Sequence, residues 1–235
     1  MGNVSERRKQ PPQVGVSVVI LALGPVPQSD VGAGAASSGM GSTLWMPLVK
    51  RVRQPFLGQW ALPGGGLRAD HSLEQSAYAA LESTTSLHPK YLEQLYTFGD
   101  PARSHGGLPM VSIVYWALVG EADGRIDFAG GDNVKWFPVN HLPELAFDHR
   151  TIVEYAMNRL RGKIESPDIA TRLVGERFTL SQLHDVYEAI AGQRIDLANF
   201  RRKMLASDCW KTPVRNCGSA VTGRRRSTGT AGSRE

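Results

Sequence analysis

Leu62-Pro63-Gly64-Gly65-Gly66, then Leu67-Arg68-Ala69-Asp70-His71, then the run from Ser72 to Leu87, is the stretch whose reading decides the fold. A triglycine alone is an ordinary loop, and its flanks are what narrow it. Gly58-Gln59-Trp60-Ala61 leads in, and behind it Ser72-x-x-Gln75 is a capping box, in which each residue satisfies the other's free backbone N–H and so opens a helix. Leu73, Ala77, Ala80, Leu81 and Thr84 recur at helical spacing and give that helix one inward stripe.

A glycine stretch followed at this distance by such a helix resembles the signature of the Nudix pyrophosphohydrolases. That signature is Gly, five residues, Glu, seven residues, then Arg-Glu-apolar-x-Glu-Glu-x-Gly-apolar. With Gly65 as its leading glycine, the first Glu slot holds His71, the Arg-Glu pair is Ala79-Ala80, the Glu-Glu pair is Ser83-Thr84, and the Gly is Ser86. Only Gly65, Leu81 and Leu87 keep their type.

These losses bear on metal chemistry. Magnesium needs hard oxygen ligands and is held by carboxylates and phosphate oxygens; it is the metal that makes pyrophosphate cleavage feasible. Alanine offers no ligand and the hydroxyls are neutral. At about 100° per residue, slots 80, 83 and 84 share one face, while Glu82 and Glu74 lie to the side. A binder of Nudix-type ligands is expected, with no catalytic residue and no resident metal.

Composition places few further limits. The chain has 235 residues, 41% of them hydrophobic, which suffices for one large domain or two small ones. No window approaches 18 apolar residues in a row, and Met1–Gln13 is polar with no apolar signal core, so no membrane association and a cytoplasmic location are expected. Cys209 and Cys217 lack histidines at zinc-site spacing and are read as free thiols. The net charge of +5 is concentrated: Arg201, Arg202, Lys203, Lys211, Arg215, Arg224, Arg225, Arg226 and Arg234 crowd the end, an electrostatic footprint for nucleic acid.

Val14–Leu23 is a β-branched apolar run, as in a strand buried on both faces, and Thr43–Val52 reads as a second strand. Val111–Val119 is another buried strand, and Val134-Lys135-Trp136-Phe137-Pro138 a short closing one. A mixed sheet between helices is the architecture this alternation implies. Beyond His141 the pattern becomes helical: Asp148–Leu160, then Thr179-x-x-Gln182 as a second capping box, Gly192 as a stop, and Asp196 capping Leu197 to about Ala206. Two short helices joined by a tight turn make a helix-turn-helix candidate. In the last one Leu197, Phe200 and Met204 are expected inward, and Asn199, Arg202, Lys203 and Ala206 outward. Amide and cations on the outer face suit the major groove, where Asn pairs adenine and Arg or Lys pair guanine.

A degenerate Nudix domain followed by a helix-turn-helix resembles the NrtR family of Nudix-related regulators of bacterial NAD metabolism. The match rests on Trp60-Ala61-Leu62-Pro63-Gly64-Gly65, on Leu92-Glu93-Gln94-Leu95-Tyr96-Thr97-Phe98-Gly99-Asp100-Pro101 and on Asn199-Phe200-Arg201-Arg202-Lys203, within Val14–Ala206. It implies an α+β chain: a disordered N-terminus (residues 1–13), an N-terminal Nudix-like α/β/α sandwich with a mixed sheet (14–146), and a C-terminal winged helix-turn-helix with a basic tail (147–235). The implied function is a repressor of NAD biosynthesis or salvage genes, a homodimer on palindromic double-stranded operator DNA, nucleoid-associated when bound, with ADP-ribose as effector and no cofactor. Family members finish with a Gly-Arg-rich wing and a closing strand; here Gly223-Arg224-Arg225-Arg226-Ser227 is present without the strand, leaving the wing incomplete or disordered.

Candidate contacts come from chemistry joined to that resemblance. A diphosphate calls for cations and open amides: Arg53, Arg68, Arg103 and the backbone of Gly64, Gly65 and Gly66. Adenine calls for a flat partner, Trp60 or Phe98, and Asp100 belongs to the same motif. DNA contacts are assigned to Thr179, Ser181, Gln182, Asn199, Arg201, Arg202, Lys203, Lys211, Arg224, Arg225 and Arg226. A residual hydrolase of ADP-ribose-like nucleoside diphosphates, using Asp70, Glu74 or Glu82, is the competing reading, and a nucleotide-binding scaffold without DNA function is a third.

Overall fold

A computed structural model describes residues 11–27, 41–104, 109–120, 123, 126–128, 130–164, 167–174 and 178–206. Strands β1 (Gln13–Pro25), β2 (Ser42–Lys50), β3 (Trp60–Ala61), β4 (Gly64–Gly66), β5 (Tyr91–Phe98), β6 (Met110–Val119) and β7 (Val134–Pro138) form a single sheet. Its order is β3-β2-β1-β6-β5, with β4 added beside β1 and β7 beside β2. β1 runs parallel to β6 from Gln13↔Met110 to Ala22↔Val119 while the other strand pairs are antiparallel, which makes the sheet mixed.

The apolar run of β1 is explained by burial on two sides, since alternate strand residues face opposite ways. Val16, Val18, Ile20 and Ala22 pack with Tyr115, Ala117, Val119 and Trp136 under Ala77 and Leu81 of helix α1 (Leu73–Thr85). Val19 and Leu21 join Leu44, Met46, Leu48, Val114, Trp116 and Leu118 on the opposite face. That face is covered by helices α2 (His149–Lys163), α3 (Pro167–Val174) and α4 (Leu180–Ala191), and the same apolar cluster continues to Phe200 and Met204 of α5 (Leu197–Ala206). The sheet and the C-terminal helices thus share one core.

Both capping boxes form: Ser72 Oγ accepts from Gln75 N (3.1 Å) and Gln75 Oε1 from Ser72 N (2.8 Å), and the Thr179–Gln182 pair repeats the arrangement. α1 ends at Ser86, which is left-handed at φ 54°, with its N–H on the Glu82 carbonyl. This is the slot where the Nudix signature has glycine. A side chain in that region costs roughly 1–2 kcal/mol, so Ser86→Gly is expected to stabilise the fold by about 1 kcal/mol, raising Tm by about 2–4 °C for a chain this long. Thermal unfolding checks it; an unchanged or lower Tm contradicts it.

Several boundaries differ from expectation. β2 ends at Lys50, because Arg51 turns the chain out into the 51–58 loop, where Arg51 N donates to the Gln59 carbonyl and Gly58 N to that of Arg51. Gly64–Gly66 is a strand and not a free loop, held by pairing of Ser17↔Gly64, Val16↔Gly65 and Gly15↔Gly66. α3 lies where no helix is expected from the sequence; its buried Ile169 and Leu173, one turn apart, anchor it. Leu197, expected inward, is 45% exposed and Leu205 is 60% exposed, because α5 touches the core only through Phe200 and Met204. Residues 1–10, with most of the polar N-terminus, and 207–235, with both cysteines, Lys211, Arg224, Arg225 and Arg226, lie outside the described residues.

α2 is strapped to β5 along its length. At its far end Lys163 Nζ donates to both oxygens of Glu93 (3.0 and 2.9 Å) and lies 5.3 Å from the Trp116 ring centre, and Glu93 also accepts from Tyr91. Burial alone would raise the Glu93 pKa, but the hydrogen bonds from Tyr91 and Lys163 hold it lower. Arg172 of α3 stacks over Tyr91 at 4.5 Å, so the same joint seats α3 on the sheet. No helix among the described residues is long and apolar enough to cross a membrane.

Candidate effector and nucleic-acid sites

Trp60 and Arg103, and the neighbours Arg51 and Leu62 of other proposed ligand residues, meet the short segment Leu145–His149 at the start of α2. Ala146 N donates to the Trp60 carbonyl (2.8 Å), and His149 Nδ1 accepts from Leu62 N (3.0 Å), two residues before the glycine strand. His149 is buried, which pushes its pKa down to about 4, so the ring is neutral with its proton on Nε2. Phe147, left-handed at φ 56°, packs edge-on against Phe56, and Arg51 stacks over it at 4.5 Å, which ties the 51–58 loop carrying Arg53 to the same segment.

Arg103 occupies a different role from the free cation expected of it. It is 7% exposed, its Nε and Nη2 each meet an Asp148 oxygen at 2.9 Å, and Nη1 donates to the Phe98 carbonyl at 3.0 Å. Burial would raise the Asp148 pKa, but the bonds and charge of Arg103 outweigh it and hold the carboxylate below its usual range. Asp100 is likewise engaged, its carboxylate accepting from Ala102 N at 2.8 Å to start a 3-10 turn at Pro101–Ser104. Arg103 thus locks the end of β5 to the start of α2, and Asp100 shapes the turn that carries it.

Arg53 remains exposed, and among the described residues Arg68 pairs with Asp70, both side chains about two-thirds exposed, a contact that solvent weakens. Trp60 packs edge-on to Phe137, while Phe98 is flanked by Tyr96 and Tyr155. Tyr96, 52% exposed and 5.0 Å from Tyr155, is the most open flat surface of this group. Sequence reasoning missed it, along with Phe147 and His149. An acid and a histidine directly ahead of an apolar helical stripe are the only local sign of the last.

The glycines separate into two kinds. A side chain at Gly64 would place Cβ 2.4 Å from the Val16 carbonyl oxygen, so strand pairing itself demands glycine there. Gly65 and Gly66 face open space, and neither packing nor backbone angle requires glycine at those positions.

The degenerate slots hold no metal-binding set. Ala79 and Ala80 have no donor atoms, and Ser83 Oγ and Thr84 Oγ1 both donate back to the Ala80 carbonyl (3.0 and 2.7 Å). A magnesium ion finds no carboxylate in these slots, so the residues present do not fit the metal of the catalytic family.

On the other side of the core, α4 and α5 form the helix-turn-helix. Phe200 is buried against His184 and Tyr187, and Asn199, Arg201, Arg202 and Lys203 are exposed together. Asn199 Oδ1 accepts from Arg202 Nη2 (2.7 Å), so amide and guanidinium are presented as a pair. The Thr179 and Gln182 side chains are engaged in the capping box, which leaves Ser181 as the open hydroxyl at the start of α4.

Comparison with known proteins agrees with both halves. The NUDIX domain profile matches residues 33–156, and that of the NrtR DNA-binding winged helix domain matches residues 170–216. An ADPR-responsive transcriptional repressor, NtrR, of Acinetobacter baylyi is 30% identical over 68% of this chain; the match spans 65% of the repressor's length. An ADP-ribose pyrophosphatase of Methanocaldococcus jannaschii is 33% identical over 49% of the chain and 67% of its own length. The crystal structure of Shewanella oneidensis NrtR with a 27mer DNA is 32% identical, superposes with a TM-score of 0.65, and covers 83% of each chain. A MutT/nudix family protein of Enterococcus faecalis superposes with a TM-score of 0.64 at 25% identity, over 83% of this chain and 81% of its own. With a Nudix α/β/α sandwich followed by a winged-helix unit, this chain belongs to the NrtR family of Nudix-related transcriptional regulators.

Proposed function

We propose that the chain is a DNA-binding transcriptional repressor of NAD biosynthesis or salvage genes whose Nudix unit senses ADP-ribose or a closely related NAD metabolite without cleaving it. The observation that carries this is the pairing of a bare catalytic helix with an exposed Asn199–Arg202–Lys203 face, on one continuous core. The sensing unit (residues 14–146) and the reading unit (147–235) meet at α2, which touches both. The protein works as a homodimer on a palindromic operator, in the cytoplasm and on the nucleoid. The relative named as ADPR-responsive and the relative solved with DNA support this reading, and the relative named as an ADP-ribose pyrophosphatase supports ADP-ribose as the ligand.

Gly65 and Gly66, glycines that the fold itself does not require, leave room for a diphosphate to approach the backbone amides, with Arg53 and Arg68 as exposed counter-charges. Adenine stacks on Trp60 or Phe98, with Tyr96 as an open extension of the Phe98 cluster. Gly65→Ala is expected to leave Tm within about 1 °C, since its Cβ meets nothing, and to weaken ADP-ribose binding about tenfold or more, because the added methyl stands where the diphosphate would approach and keeps it from its charge-assisted contacts. Calorimetric titration decides it: equal affinity of both proteins for ADP-ribose removes the glycine strand from the site.

The direct test is binding to promoter DNA of the host's NAD-biosynthesis genes at fixed salt, titrated with ADP-ribose, with a non-specific duplex as control. Specific binding that ADP-ribose alters is the expected result. Binding no better than the control sinks the repressor reading for that operon. Magnesium-dependent cleavage of ADP-ribose, lost on changing Asp70, Glu74 or Glu82, would establish the hydrolase instead.

A further inference from the structure

The turn between α4 and α5 is held by a clamp that no motif predicts. Ile195, directly before the cap of the reading helix, has both its backbone groups bound by α4 side chains. Its N–H donates to Glu188 Oε1 at 2.8 Å, and its carbonyl accepts from His184 Nε2 at 2.8 Å. His184 and Glu188 stand one helical turn apart, and their side chains are only 10% and 11% exposed. The other Glu188 oxygen is 3.4 Å from Arg194 Nη1, and Gly192, left-handed at φ 70°, closes α4 onto the Glu188 carbonyl. Asp185, with an oxygen 4.0 Å from His184 Nδ1, completes a histidine-carboxylate group close enough to resemble a cation site, but two of its ligand atoms are aimed at Ile195.

Because Ile195 is pinned, the first turn of α5 starts from a fixed point. Asp196 caps α5 by accepting from Asn199 N (2.8 Å), and the same Asn199 then holds Arg202. The His184 ring also packs edge-on against Phe200, one of the two residues that anchor α5 to the core. The entry of α5 and its buried face are therefore registered to the same α4 side chains.

We propose that His184 and Glu188 are positioning residues for operator recognition: they fix the pose of α5 so that the Asn199–Arg202 pair reads base edges. This rests on the DNA-binding function proposed above. Base-edge hydrogen bonds need their donors placed within a few tenths of an ångström and well aligned, whereas attraction to phosphates depends on charge and tolerates displacement. Neither Glu188→Ala nor His184→Ala removes a charge from the exposed face of α5. Loss of the clamp must then separate specific from non-specific binding.

The test begins with the full chain selecting duplexes from a random-sequence pool, so that the specific probe is the duplex the protein itself enriches. Affinities for that duplex and for a scrambled one are then measured at one salt concentration for wild type, Glu188→Ala, His184→Ala, Glu188→Gln and His184→Gln, with Tm recorded for each. Glutamine keeps an acceptor at 188 and offers a donor near the Nε2 position at 184. The alanine variants are expected to lose about 10- to 100-fold on the enriched duplex, the discrimination a bidentate base contact carries, while binding to the scrambled duplex stays within about threefold because the phosphate contacts are intact. The glutamine variants regain most of the specificity ratio. Equal losses on both duplexes, or none, overturn the clamp. Enrichment of no duplex by the wild type overturns DNA reading itself, and the clamp with it.

Discussion

Arg103→Ala is expected to destabilise the chain by about 2–3 kcal/mol, because the buried guanidinium is lost while the half-buried Asp148 carboxylate and the Phe98 carbonyl are left without their donors. Asp148 would be left beside buried His149 with no cation against it, and the Phe98 carbonyl would lose its Nη1 donor. Replacing both partners by apolar residues, as in Arg103→Met with Asp148→Leu, is expected to recover a large part of the loss, since the uncompensated charge goes too. Chemical denaturation of the three proteins checks this; a single substitution costing less than about 1 kcal/mol, the scale of a surface pair, would contradict it.

The same segment gives stability a definite acid dependence. His149 has its pKa depressed from 6.5 to about 4 by burial, so the unfolded chain binds the proton more readily. Its contribution is fully present above about pH 6.5 and is lost as the pH falls through about 4, roughly 3 kcal/mol in all for a shift of that size. Asp148, with its pKa lowered by Arg103, contributes stability present above the ordinary aspartate range and lost only at still lower pH. Acid unfolding should therefore begin with a His149 step, followed by an Asp148 step that Arg103→Ala abolishes.

Arg202→Ala is expected to cost operator binding about tenfold or more and to relax specificity at one base position, because Arg202 is presented paired with Asn199 at the exposed face. Lys203→Ala should act differently. A lysine that meets phosphate weakens binding to all sequences alike and lowers the slope of log affinity against log salt by about one. Measuring both variants across a salt series separates base reading from charge attraction. If neither changes affinity or slope, the chain is a nucleotide-binding scaffold with no DNA function.

What the sequence made legible was local. Ser72–Gln75 and Thr179–Gln182 announce their helices within four residues, and both boxes form. The apolar runs of β1 and β6 foretell a sheet covered on two sides, which the two core clusters bear out. What stayed hidden was made by distance along the chain. Arg103 meets Asp148 across 45 residues and Leu62 meets His149 across 87, and no periodicity links either pair. An arginine just past a family motif therefore reads as a diphosphate cation until its partner is seen. Gly64–Gly66 became a strand for the same reason, since its partner Gly15–Ser17 lies far upstream. The Ile195 clamp hides differently: histidine and glutamate one turn apart on a helix look like a solvated pair unless the next turn folds back over them.

The core that runs from Val19 in the sheet to Met204 in α5 has an evolutionary and engineering consequence. A reading head carried on a flexible linker can be exchanged between sensors by recombination at the linker. Here a cut after α2 would bare Leu44, Met46 and Leu48 on one piece and Leu183, Val186 and Ile190 on the other, two greasy surfaces made to fit each other. Grafting this reading head onto another Nudix scaffold would then demand that the recipient's sheet be recut to match, so sensor and reader in this lineage are expected to change partners rarely and to drift together.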